Sequence, residues 1–268
     1  MARLRRTAAI ALRQYYLMRG SPARVLSHFA WIVIDIVLWG FITRYLNTLA
    51  PSGTDFVPIL LGAVLLWDFF TRVMLGVTMA FLEDVWSQNF LNLFASPLSI
   101  REYVGGLVLT SVATSLLGLL VMVVLATASF GLDFFAVGLM LVPYVLVLFL
   151  FGIALGILGI SLVLRFGPAS EWLVWPIPAV ITPFAAVFYP VATLPHWMQW
   201  VSHLLPPSYV FEGIRAIVAG GAYPGSALPW SFGLCAFYIL TAMWVFSGVH
   251  REAVRSGLLS RYKAESSA

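Results

Sequence analysis

Three ionisable side chains stand inside otherwise apolar stretches: Asp35 between Ile34 and Ile36, and Asp68 and Arg72 four residues apart. An acid and a base at i, i+4 lie on one helix face and can pair. A charge at membrane depth needs a partner or water, so such residues mark either a structural pair or a transport pathway. Both readings stand for Asp68 and Arg72. Asp35 has three candidate surroundings: Arg72, an arginine of another chain, or a cavity. Together the three could relay charge in a gradient-driven carrier or channel. Farther along, Glu212 and Arg215 are spaced i, i+3 and form a candidate brace. His196 and His203 can share a helical face, but two histidines without a third ligand are a weak case for a metal.

Other chemistry lacks its motifs. There is no G-x-x-x-x-G-K-[ST], no H-E-x-x-H and no G-x-S-x-G, and the single lysine is Lys263. The chain therefore has no phosphate-cradling loop with which to hydrolyse ATP, and nothing that marks an embedded hydrolase or metalloenzyme. No catalytic residue, metal ligand or cofactor is expected in it. Cys235 is the lone cysteine, which excludes an internal disulfide.

The elements that must position these residues are membrane helices. Of the 268 residues, 61% are hydrophobic and 10% charged, whereas a soluble domain carries about 25% charged. Each span uses about 20 residues. The expected fold is all-α and membrane-integral, one domain over 1–268. Its six spans lie at 25–46, 57–82, 104–130, 135–164, 172–189 and 228–249. The fifth is interrupted by Pro176, Pro178 and Pro183, breaks that neighbouring helices or water can satisfy. Residues 1–24 hold six arginines and no acid, as expected of an amphipathic helix on an anionic membrane surface; an organelle transit peptide is the rival reading.

Two further stretches are too short or too polar to cross. Over 83–97, Trp86, Phe90, Leu93 and Phe94 fall on one helical face, behind Glu83 and Asp84 and before the Ser96-Pro97 break. This helix either caps its own bundle or docks a soluble partner. Residues 190–226 hold five prolines with Trp197 and Trp200, and read as outer re-entrant or interfacial helices with an aromatic belt. With the N-terminus inside, twelve of the fifteen basic residues face the cytoplasm, and only Arg44 and Arg215 face outward. The positive-inside rule selects that orientation, with both termini cytoplasmic. The cations orient the chain in a membrane and do not signal nucleic acid.

Three features, in this order, resemble the permease subunit of the type-2 ABC exporter family over almost the whole length. The first is the basic amphipathic helix ahead of six spans. The second is the acidic-start helix ending Ala95-Ser96-Pro97-Leu98-Ser99, followed by Arg101-Glu102-Tyr103. The third is the outer segment, with Phe188-Tyr189-Pro190-Val191, Leu194-Pro195, Trp197, and then Leu205 through Arg215, which includes Pro206-Pro207. The resemblance implies a multi-pass protein of the bacterial inner membrane. It implies two permease chains, with a homodimer expected, and two separate ATPase subunits that bind ATP and Mg. Residues 83–97 would be the coupling helix, docking through Glu83, Asp84, Trp86, Phe90, Leu93 and Phe94. Tyr189, Pro190, Pro206, Pro207, Glu212 and Arg215 would belong to an outer gate. The substrate would be an amphiphile: a lipid, a lipid-linked glycan or a hydrophobic drug. The acidic start of the loop after the second span is unlike polysaccharide-directed relatives, while the aromatic content favours a glycan.

Overall fold

The structure is a computed structural model that describes residues 2–49, 57–87, 93, 96–221 and 225–256. Every regular element among them is helical. Helix α1 (Ala2–Arg19) and α2 (Pro22–Leu49) are separated by Gly20-Ser21 alone. A π-turn over Val57–Leu61 leads into α3 (Gly62–Trp86). Then come α4 (Ile100–Phe130) and α5 (Leu141–Phe166). Four short helices follow: α6 (Glu171–Val174), α7 (Ile177–Ile181), α8 (His196–His203) and α9 (Pro206–Val218). The last is α10 (Ala227–Arg255).

Local chemistry explains the boundaries. Pro22 opens α2 at a position where its missing N–H would have had no helical partner. Ser99 and Glu102 form a reciprocal capping box at the start of α4, which satisfies two otherwise free N–H groups. The same helix stops at Gly131, where φ is 70°. Leu132 N there donates back to Ala126 O at 3.4 Å, a closure that favours glycine because other residues resist the left-handed region.

Among the described residues, five helical segments are long and apolar enough to cross a membrane: Phe29–Leu49, Val57–Trp86, Ile100–Phe130, Gly138–Phe166 and Ala227–Arg255. The segment ending in α5 is the centre of the bundle, with 61% of its most apolar window buried, against 17% for α10. Gly152, Gly156 and Gly159 of α5 meet Val73, Met74 with Val77, and Thr78 of α3, in that order, so α3 and α5 run the same way. Tyr103 meets Asp84, and Ser111 Oγ donates to Val73 O at 2.9 Å, so α4 runs the opposite way. Cys235 reaches Val147 O, and Tyr238 packs on Phe151, so α10 is parallel to α5.

The interrupted segment expected as the fifth span, 172–189, is not among the five helices of membrane-crossing length. Prolines 176, 178 and 183 divide it into α6, α7 and turns, because each removes a helical hydrogen bond. Between the parallel helices α5 and α10 the chain runs through these pieces to the side of α2. Ser170 bonds Gly167 O at the end of α5, whereas Phe188 stacks on Trp39, midway along the Phe29–Leu49 segment of α2. The bundle thus has a basic end, with α1, Arg101, Arg165, Arg251 and Arg255, and an opposite end with Arg44 and Arg215.

Candidate functional site

The basic end is built around a buried carboxylate. Asp84 is 1% exposed. It accepts hydrogen bonds from Arg13 Nη2 on Oδ1 at 2.6 Å, and from Arg13 Nη1 and Tyr103 Oη on Oδ2 at 3.0 and 2.8 Å. A bidentate guanidinium–carboxylate pair fixes geometry as well as charge, so α1, α3 and α4 are held at one point. A second, looser tie joins Arg6 Nη1 to Glu102 Oε1 at 3.6 Å. Gly106 permits the close approach of α1: a Cβ there would stand 2.5 Å from Ile10 Cβ and 3.0 Å from Thr7 O.

This corrects two expectations. Residues 83–86 do not open a separate helix but form the last turn of α3, because the apolar periodicity of that span continues through Val85. Asp84 is not an exposed acid; its carboxylate is used inside the chain. Helix α1 packs one face on α4. Of the expected docking residues, Trp86 is half exposed at 50%, Glu83 is partly buried, and Leu93 packs against the bundle core. Phe90 and Phe94 lie outside the described residues.

The intramembrane charges meet in part. Arg72 Nε donates to Asp68 Oδ2 at 2.6 Å, with the side chains 10% and 19% exposed. Gly118 of α4 makes room for them: a Cβ there would lie 3.5 Å from Arg72 Cδ and 3.7 Å from Ile32 Cδ1. Three helices therefore converge at the pair. Asp35 is partly buried on α2, three residues beyond Ile32, and lies in the field of both Asp68 and Arg72. No hydrogen bond or ion pair joins Asp35 to another described residue.

At the opposite end a polar clamp closes the chain between α7 and α9. Glu212 Oε1 accepts from Arg215 Nη1 at 2.7 Å and from Val191 N at 2.8 Å. Arg215 Nη2 donates to Ala186 O at 2.7 Å. Burial pulls the Arg215 guanidinium below its ordinary value, opposed by Glu212. Tyr189 Oη donates to Pro183 O at 2.8 Å. Pro206 and Pro207 are buried in the first turn of α9, and Pro190 is exposed beside Val191. Ala186 is fully buried with φ of 53°, a conformation that costs an L-residue about 1–2 kcal/mol. The clamp holds this strained turn closed. Arg215→Ala is expected to lower stability by about 2 kcal/mol, the loss of charge-assisted hydrogen bonds to buried acceptors. Ala186→Gly is expected to offset part of that loss in the same background. Thermal unfolding of the single and double variants checks both.

Two features escaped sequence reasoning. One is the α3–α5 seam, for which the Gly152-x-x-x-Gly156 spacing is a readable signal of close helix approach in membranes. The other is the partnership of Arg13 with Asp84, 71 residues apart, which no local pattern marks.

Among the described residues, five helices of membrane-crossing length, packed in one bundle with most of its cations at one end, define a multi-pass membrane protein. The family model for ABC-2 type transporters matches residues 8–219, and the chain belongs to that family. It is the non-catalytic transmembrane subunit of an ABC-2 type transporter, a family that usually works with an ATPase partner. No curated protein matches the chain.

Proposed function

We propose that this chain is the membrane subunit of an ATP-driven exporter. Two copies would line the pathway, and two separate ATPase subunits, which bind ATP and Mg, would dock at the basic end. The observation that carries the reading is the Arg13–Asp84–Tyr103 junction. It ties α1 to the end of α3 and the start of α4, on either side of the stretch 87–99. A force applied there would reach three helices as one body, which is what rigid-body coupling requires. The basic end is the cytoplasmic one, by the positive-inside rule. Residues 172–189 serve as a further crossing, the sixth in all, and the Glu212–Arg215 clamp is part of an outer gate. The substrate is an amphiphile, in keeping with the apolar spans: a lipid, a lipid-linked glycan or a hydrophobic drug.

The test introduces charge into the expected docking stripe. Phe90→Asp and Trp86→Asp are each expected to abolish ATP-driven transport in reconstituted vesicles and to release the ATPase subunit. The size-exclusion profile of the chain should stay unchanged. Transport that survives both changes would sink the coupling assignment.

Asp35 beside the Asp68–Arg72 pair favours a second reading, a gradient-driven carrier that relays charge through these groups. That reading requires flux without nucleotide under an imposed proton gradient, and loss of that flux in Asp35→Asn.

A further inference from the structure

At the basic end, α5 and α10 border a cavity of about 710 Å³. Leu164 and Arg165 line it from α5, and Trp244, Val249, Arg251 and Glu252 line it from α10. Both arginines are exposed. The Arg165 guanidinium lies over the Phe166 ring, 5.7 Å from its centroid. Arg251 donates through Nε to Ser247 O at 3.1 Å, and its two terminal nitrogens make no hydrogen bond to another described residue. Among the described residues neither guanidinium has a carboxylate partner, although Glu252 borders the same cavity. Two cations against one acid leave the cavity positive.

Its apolar continuation is equally specific. Phe237, Leu240 and Trp244 of α10 are 63%, 71% and 75% exposed. Their spacing of three and four residues, followed by seven to Arg251, puts all four on one helix face. That face is apolar along the depth of the span and ends in a guanidinium where the helix leaves it. Tryptophan and arginine in this order match the boundary between acyl chains and headgroups.

We propose that the cavity binds one anionic phospholipid of the adjacent leaflet. Its phosphate sits between Arg165 and Arg251, and one acyl chain runs along Trp244, Leu240 and Phe237. Basic pockets between transmembrane helices recognise acidic headgroups by this combination of charge and depth. A free anion would use the guanidiniums and leave the aromatic stripe idle; a phospholipid uses both. The proposal does not rest on the exporter reading, because its readout is bound lipid and not transport.

The test takes the full-length chain, purified in mild detergent and delipidated, and reads bound lipid per chain by native mass spectrometry. Phosphatidylglycerol and phosphatidylcholine with identical acyl chains are offered in parallel, and glycerol phosphate is offered as a competitor without chains. Phosphatidylglycerol is expected to be retained over phosphatidylcholine and to resist glycerol phosphate. The double variant Arg165→Gln/Arg251→Gln should hold it about thirtyfold more weakly, from the loss of two cations beside an anionic headgroup. Arg44→Gln, at the opposite end, should leave retention unchanged. Equal retention of the two lipids, or a double variant that binds like the wild type, overturns the proposal. Full displacement by glycerol phosphate identifies a simple anion site and overturns it as well. Should the double variant not fold, Arg251→Gln alone, set against the wild-type lipid preference, decides the same question.

Discussion

Gly156→Leu is expected to leave little monodisperse protein after detergent extraction, with a loss of stability of about 3 kcal/mol at least. A Cβ at Gly156 would already stand 2.9 Å from Met74 O and 2.9 Å from Val77 Cβ. One of these is backbone and the other the branch point of a side chain on α3, so neither can swing aside. Thr78 Oγ1 donates to Gly156 O at 3.1 Å across the same seam, and that bond breaks if the helices separate. In a bilayer, where lipid is as apolar as the side chains, helices associate through close packing at small residues and through hydrogen bonds between helices. The matched control is Gly233→Leu in α10, where a Cβ would meet nothing within 4 Å. That change should be neutral or slightly favourable, since leucine is the better helix former. Size-exclusion profiles and melting temperatures of the two variants make the comparison. Equal behaviour would show that the α3–α5 seam does not hold the bundle together.

Arg13→Ala is expected to cost about 3 kcal/mol, because it strands a carboxylate that is 1% exposed. Tyr103 Oη would remain its one described hydrogen-bond donor. Asp84→Asn should be milder, since the Arg13 side chain is 24% exposed and can turn to water. The double variant Arg13→Ala/Asp84→Asn should be more stable than Arg13→Ala alone, the sign expected when the damage comes from a buried unpaired charge. Melting temperatures of the four chains give the cycle. Proteolysis at the Gly20-Ser21 junction reports separately whether α1 has left α4. Strict additivity of the two changes would mean that the pair does not bind α1 to the bundle.

Much of this molecule was legible before its fold. The arginines gathered in 1–24 and over 251–261 pointed to a basic end, and the helices brought Arg101, Arg165, Arg251 and Arg255 to the same end as α1. Within 190–226, where short helices were expected, the structure has α8 and α9, because Pro195 and Pro206 set their starts whatever surrounds them. The i, i+4 spacing of Asp68 and Arg72 anticipated their bond, since that distance is fixed by a single helix. Less was legible where one stretch had two readings. Glu83 and Asp84 looked like the exposed opening of a separate helix, although Val85 and Trp86 extend the span before it.

By itself, then, the sequence determined the membrane class, the family resemblance, the basic end and the local pairs. These follow from composition, charge and short-range spacing, which are properties of a segment alone. Only the tertiary structure decided that Asp84 is buried against Arg13 and Tyr103 and that three glycines of α5 receive α3. It alone decided that residues 171–189 fold as short helical pieces and turns, and that Ala186 is held in a strained turn by Arg215. Each of these depends on which helix faces meet, and a helix's own periodicity states that a face exists without stating what will cover it.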